Sequence, residues 1–383
     1  MSSADTFSEA LASYQSGRLD QARAALQGVL GAQPRHVPAL ILAGVVAGQR
    51  RDLDAALQAF DRALALEPDN ASAHFNKANI LLLRGSWLEA WPHFEWRWRI
   101  PEMMSRSAAP AAPLWLGSAP LAGKTILLRS EQGLGDTLQF CRYVKSVAAL
   151  GARVILEVQR PLLSLLADLQ GVSQIVAEGN LPPHCDYFCP LMSLPLAFGT
   201  TIESIPQARA YLAGDSSKVA EWCARLGPDQ RPKVGLVWRG TATRANEGGR
   251  SLPLEMLLAH LPQGFRYISL QKQLSADDAR ALEANPLIEI YGDELHDFSD
   301  TAALCECTDV VVSIDTSVAH LSGALGKSTL ILLQHSPAWR WLLDRDDTPW
   351  YLSATLLRQS AIDDWGGVCE QVARNLRARM ARP

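Results

Sequence analysis

Three short stretches of this 383-residue chain place acids, hydroxyls and cations where a polar ligand could be handled. In "LLRSEQGLGDTLQF", residues 127–140, a short apolar strand runs into Gln132, Gly133 and Gly135, Asp136 follows directly, and an amphipathic helix starts. The two glycines permit a tight turn and close backbone approach, and the first N–H groups of a helix carry partial positive charge suited to an anion or a polar sugar. Gly-x-Gly without a third glycine is a weak dinucleotide signature. Asp136 has two readings: a cap on the helix N-terminus, worth about 1 kcal/mol, and a general base facing a cleft.

The second stretch is "VVVSIDTSVAHLSGALGKS", residues 310–328. A β-branched strand ends at Ile314, and Asp315, Thr316 and Ser317 then open a helix, so hydroxyls and helix N–H groups are offered together, as a diphosphate requires. Asp315 could accept hydrogen bonds from sugar hydroxyls, and His320, one turn later, is either a packed imidazole or a donor to the site. "GALGKS" imitates a phosphate-binding loop, but the motif needs glycine where Leu321 stands and the segment follows a helix instead of a strand, so an ATPase reading fails.

The third stretch, "GLVWRGTATRANEGGRSLP" at 235–253, follows a strand with Arg239, Arg244 and Arg250. Guanidinium forks match phosphate oxygens, and Arg250, beside the "SLPLEML" helix start, is the first choice. Gln271 and Lys272 end the next strand in "SLQK".

Strands and helices must hold these residues. From residue 124 short apolar segments ("KTILLRS", "ARVILEV", "SQIVAE", "CDYFCPL") alternate with helical or turn material, the pattern of buried parallel strands with crossovers. After a helix-like stretch at 215–230 a second series runs through "KVGLVW", "RYISLQ", "IEIYGD", "DVVVSID" and "STLILLQ". Two doubly wound units imply a cleft between them, with ligands beyond the carboxyl ends of strands. In the tail, Trp339, Trp341, Trp350 and Tyr351 read as core or cleft-wall packing.

The first hundred residues repeat with a period of 34: Leu19, Leu53 and Trp87 are in step, as are Ala22, Ala56 and Ala90, then Leu26, Phe60 and Phe94. Gly17 and Gly85 share a position that Arg51 fills in the middle unit, and Pro34 and Pro68 close the first two units. This resembles the tetratricopeptide repeat, a helix-turn-helix unit whose apolar face is buried only by stacking on its neighbours. Stacked repeats commonly bind extended peptides. Trp91, Phe94 and Trp98 recur at helical spacing and predict an apolar side docked against the next domain. The domain boundaries expected are 1–104 for the repeats, 105–123 for a Pro/Ala/Ser/Gly-rich linker, 124–228 for the first doubly wound domain, and 229–383 for the second, with a C-terminal helix.

Bulk properties narrow the class. A formal net charge of -4 leaves no basic footprint for nucleic acid. No apolar run approaches the roughly 18 residues that span a bilayer, and "MSSADTFSEA" lacks a leader pattern, which predicts a cytoplasmic protein. The seven cysteines are odd in number, scattered and without C-x-x-C, so they read as free thiols. His184, Cys185 and Cys189 make only a weak metal signal.

With G-L-G-D at 133–136, R-S-L-P at 250–253 and D-T-S-V-A-H at 315–320 assembled, the C-terminal two-thirds resembles the heptosyltransferase-like glycosyltransferases of the GT-B fold. The whole resembles bacterial tetratricopeptide-repeat proteins that carry such a domain, an arrangement also similar to the protein O-GlcNAc transferases. The fold class implied is an α-helical repeat solenoid followed by two Rossmann-like α/β domains facing a cleft. The resemblance assigns the catalytic base to Asp136 and donor binding to Asp315, Thr316, Ser317 (in place of the usual glycine) and His320. Arg250 stands where the family's K-x-W-P segment has a lysine. The resemblance also implies a C-terminal helix crossing back onto the first domain. The activity expected is inverting, metal-independent transfer of a sugar from a nucleotide-diphosphate sugar to an acceptor hydroxyl, with no cofactor and with a protein or peptide recruited by the repeats. A cell-envelope saccharide as acceptor and a repeat scaffold without turnover stand as alternatives.

Overall fold

A computed structural model describes residues 3–103, 111–181, 183–240 and 250–380. Arg244 and residues 104–110, which include the start of the expected linker, lie outside the described residues. The chain divides into two compact units, one of Met1–Arg106 with Gly199–Ile202 and Ser336–Asp344, the other of Ser107–Phe198, Glu203–His335 and Arg345–Pro383.

In the first unit helices pair as α1 Ser3–Gln15 with α2 Leu19–Ala32, α3 Val37–Gln49 with α4 Leu53–Leu66, and α5 Ala71–Arg84 with α6 Trp87–Phe94, each first helix starting 34 residues after the last. The in-step positions are the interior: Ala22, Ala56 and Ala90 are fully buried, and Leu26, Phe60 and Phe94 nearly so. Small residues there let helices approach, while the larger side chains fill the space between pairs. The turn inside each pair needs one left-handed residue. Gly17 (φ 74°) and Gly85 (φ 93°) supply it at little cost, but Arg51 adopts the same conformation (φ 61°), which costs an ordinary residue about 1–2 kcal/mol. Burial depresses the Arg51 pKa, and the opposite charge of Asp344 in the same unit counters that.

Trp91 and Phe94 do present a buried face, and its cover comes from far along the chain. Trp339 stands edge-on to Trp87, Trp91 and Phe94 at ring separations of 6.2, 5.7 and 6.3 Å. The Trp91 indole donates to the Thr200 carbonyl at 2.8 Å. Edge-to-face contacts of this kind add about 0.5–1.5 kcal/mol each beyond the area they bury. Trp98 is half-buried beneath the Arg97 guanidinium, 4.8 Å from its ring.

The second unit contains two parallel sheets. Strands β1 Thr125–Arg129, β2 Arg153–Val158, β3 Val172–Ala177 and β4 Tyr187–Pro190 lie in the order β3-β2-β1-β4. Strands β5 Lys233–Val237, β6 Arg266–Ser269, β7 Ile288–Ile290, β8 Val310–Ile314, β9 Thr329–Leu333 and β10 Ala354–Arg358 lie in the order β10-β9-β8-β5-β6-β7. The apolar segments from 124 to 334 are these strands; β10, hidden behind the aromatic run, is an edge strand that apolar pattern did not reveal. Order reverses between β1 and β4 in one sheet and between β5 and β8 in the other, and such switch points open a crevice at the carboxyl ends of the strands. The C-terminal helix, Trp365–Met380, does not return to the first sheet as the resemblance implied. Val368, Cys369, Val372 and Leu376 are buried in one core with Tyr267 and Leu357 of the second sheet, because the helix is amphipathic and that face needs covering. Trp339, Trp341, Trp350 and Tyr351 are all buried.

Candidate active site

The carboxyl end of β1 leads through Ser130–Gly133 into a helix, Leu134–Phe140. The backbone of Gly133 is extended, with φ -78° and ψ 164°, so the tight turn expected of that glycine is not what it provides. Asp136 folds back: its Oδ2 accepts from the Gly133 N–H at 2.9 Å, and the side chain remains half-buried. The loop is braced from two sides. Gln159, just beyond β2, donates to the Gln132 carbonyl at 3.2 Å and accepts from the Thr137 hydroxyl at 2.9 Å. Glu131 accepts from the Met192 N–H at 3.0 Å, just past β4 and across the switch point. Beneath them Arg129 and Glu157 form a buried ion pair at 3.2 Å, where burial raises the Glu157 pKa against the opposing pull of Arg129. Gln159, Glu131 and Glu157 were not found from sequence; the available signal was that each lies within two residues of the carboxyl end of a strand.

Gly135 joins the two halves of the site. A Cβ added there would lie 2.7 Å from His320 Cδ2 and 3.4 Å from Ser317 Cα, so only glycine allows the first turn of this helix to touch the first turn of the helix Ser317–Ala324 that follows β8. The packed reading of His320 is the realised one. It is 4% exposed, its Nδ1 lies 2.8 Å from the Tyr351 hydroxyl, and its Nε2 faces Asp315 Oδ1 at 3.7 Å. Tyr351 in turn belongs to a buried cluster under Arg142, whose guanidinium lies 5.0 Å from the Tyr351 ring and donates to the Trp350 carbonyl at 2.8 Å and the Tyr211 hydroxyl at 3.1 Å. Burial pushes the Tyr211 phenol up to about 12, with Arg142 opposing, so it stays protonated and donates to the Leu138 carbonyl. Arg142 and Tyr211 gave no motif in the sequence, and Tyr351 had been read only as packing.

Thr316 caps the Ser317–Ala324 helix without a side-chain bond to its N–H groups; its hydroxyl instead meets Ser313 Oγ at 3.0 Å. Asp315, Thr316 and Ser317 are half-buried. The glycines and lysine of the false phosphate loop have packing roles. Gly323 lets the Tyr351 ring approach, Gly326 is left-handed at φ 71°, and Lys327 donates to the Glu306 carbonyl at 3.0 Å.

At the end of β5 Arg239 and Arg250 separate. Arg239 is committed to Asp278, pairing through Nε at 3.0 Å and Nη2 at 3.3 Å, while the Trp238 indole donates to the same carboxylate. Burial alone would raise the Asp278 pKa, but hydrogen bonds from Ser275, Arg239 and Trp238 hold it below the usual range. The Leu252 N–H bonds to the Trp238 carbonyl at 2.9 Å and so returns half-buried Arg250 to the carboxyl end of β5, the strand beside β8. Gln271 accepts from the Arg239 N–H at 3.3 Å, and exposed Lys272 donates to the His296 carbonyl at 2.9 Å. Among the described residues no three or more His, Cys, Asp or Glu side chains gather to hold a metal, His184, Cys185 and Cys189 included. No described helix is long and apolar enough to cross a membrane.

The tetratricopeptide repeat family model matches residues 7–64 and 41–95. The protein FlbA of Caulobacter vibrioides is 28% identical over 340 residues, covering 81% of this chain and 55% of that protein. The chain thus spans about half the length of the curated relative it matches. Among solved structures, a glycosyl transferase family 9 protein from Veillonella parvula aligns with a TM-score of 0.52 at 10% identity over 70% of this chain and 100% of its own. ADP-heptose LPS heptosyltransferase II of E. coli aligns with a TM-score of 0.48 at 14% identity over 67% and 100%. From the repeat period, the repeat family match, the sheet order and the likeness to the Veillonella parvula structure, the chain is a tetratricopeptide-repeat array followed by an α/β unit with the GT-B glycosyltransferase fold.

Proposed function

We propose that the α/β unit transfers a sugar from a nucleotide-diphosphate sugar to an acceptor hydroxyl with inversion at the anomeric carbon. The observation that carries this reading is the Gly135 contact, which puts an acid-bearing helix start against a second helix start at the switch points of both sheets. Asp136 is the base. Its bond from the Gly133 N–H orients the group. Asp136 takes the proton from the acceptor hydroxyl, the oxygen attacks the anomeric carbon, and the bond from that carbon to the diphosphate oxygen breaks. The charge that develops on the departing diphosphate is met by Arg250 and by the N–H groups that open the Ser317–Ala324 helix. Asp315 accepts from sugar hydroxyls, and His320, held by Tyr351, positions it. Arg239 supports this site through Asp278 and Gln271.

In this reading no cofactor or metal ion takes part, and the acceptor is a protein or peptide that the stacked repeats recruit along their surface. The first experiment is calorimetric titration of the full chain with ADP, UDP, GDP and CMP, followed by transfer assays with sugars of the nucleotide that binds. Selective binding of one nucleotide, then sugar on a co-purified protein and an unchanged rate in EDTA, is the expected result. Binding of none would overturn the donor assignment, and a rate abolished by EDTA and restored by a divalent ion would overturn the metal-independent mechanism.

A further inference from the structure

The helix Ser216–Leu226, which carries the chain from the first sheet to the second, packs beside the helix Phe298–Glu306. At the beginning of both helices Lys218 binds Asp300 Oδ1 and the Ser299 hydroxyl, each at 2.6 Å. At their other end stand two thiols. Cys223 lies in the first helix and is exposed; Cys307 caps the second and is half-buried. The Cys307 sulfur lies 3.5 Å from the Val219 carbonyl, one turn before Cys223 on the adjacent helix, which makes Cys223 its neighbouring thiol. Among the other cysteines, Cys141, Cys189, Cys305 and Cys369 are buried and Cys185 is half-buried. Cys223 is thus the exposed thiol, and Cys307 packs against the helix turn that leads to it.

We propose that Cys223 and Cys307 are a redox modification site that closes to a disulfide with a low-molecular-weight disulfide such as glutathione disulfide as oxidant. The Cys223 thiolate, its proton lost to solvent, attacks one glutathione sulfur, and the first glutathione leaves as its thiolate. Cys307 then loses its proton and attacks the Cys223 sulfur of the mixed disulfide, forming the S–S bond and releasing the second glutathione. Two protein thiols are oxidised while one glutathione disulfide is reduced to two thiols. Cys223 attacks first because it is the exposed thiol, and burial, which with the Cys223 neighbour pushes the Cys307 thiol up to about 12, makes Cys307 the second. The bond would bridge residues 223 and 307, enclosing β5, Arg250, β6 and β7, and would add a covalent tie to the helix pair that Lys218 holds at its other end.

The test treats the full chain with glutathione disulfide, maps peptides under non-reducing conditions by mass spectrometry, and records thermal melting. The expected result is a Cys223–Cys307 cross-linked peptide that has lost two hydrogens, with a melting rise of roughly 5 °C or more, both reversed by dithiothreitol. Cys223→Ser and Cys307→Ser must each abolish the cross-link and the rise. Glutathione retained on Cys223 while Cys307 still reacts with an alkylating agent, or cross-links only between chains, would overturn the proposal.

Discussion

The helix starts at Leu134 and Ser317 touch, yet they treat their N–H groups in opposite ways. The first supplies its own acid, with the Asp136 carboxylate bonded to the Gly133 N–H. The second has no acid in its first turn and no side-chain cap, since the Thr316 hydroxyl is turned to Ser313. A helix start that carries its own negative charge repels a second anion, whereas one without it favours an anion by about 0.3–1 kcal/mol from the dipole. In the reaction we propose, the contrast separates the work: one start presents the base, the other a place for phosphate, and Gly135 lets them stand within a side chain's reach.

The strongest way to break this division is Asp136→Asn. It keeps the shape and an acceptor oxygen for Gly133 but removes the base, so kcat should fall about 10²–10⁴-fold while nucleotide binding by calorimetry is unchanged; equal loss of both would make Asp136 only a cap. Gly135→Ala forces a methyl into the His320 ring, held on its far side by Tyr351. About 1–3 kcal/mol of stability should be lost, read by denaturant melts, with donor and acceptor steps both impaired. An unchanged melt would show that the two starts do not depend on one another. Arg250→Ala should weaken nucleoside diphosphate binding about tenfold, the scale of one charged hydrogen bond, and leave nucleoside binding alone. Tyr351→Phe sharpens the comparison most gently. Loss of its bond to His320 should cost about 1 kcal/mol in melting and act on KM for the sugar donor more than on the nucleotide affinity.

Much of the molecule was legible from local pattern. The 34-residue period marks the helix starts, and the interior positions of the repeats follow from it, because one face of every helix must be buried. Short apolar runs marked β1 through β9, and G-L-G-D and D-T-S-V-A-H fall directly beyond β1 and β8 at the switch points of their sheets. Strand β10 escaped because its segment adjoins aromatic residues that read as packing. Arg239 and Arg250 looked equivalent in the sequence. What separates them is Asp278, which lies on another helix and claims Arg239.

Order along the chain by itself determined the repeat array, the alternating α/β pattern and the three motifs, since helix and strand periodicity are written within a few turns. Tertiary structure alone decided which side chains are committed. It set His320 between Asp315 and Tyr351, put Trp339 into the repeat unit, brought Cys307 to Cys223, and aimed the C-terminal helix at the second sheet. The physical reason is that these partners lie as close as five and as far as about 250 residues apart in sequence, and only close packing of whole elements chooses among the many side chains that could have filled each place.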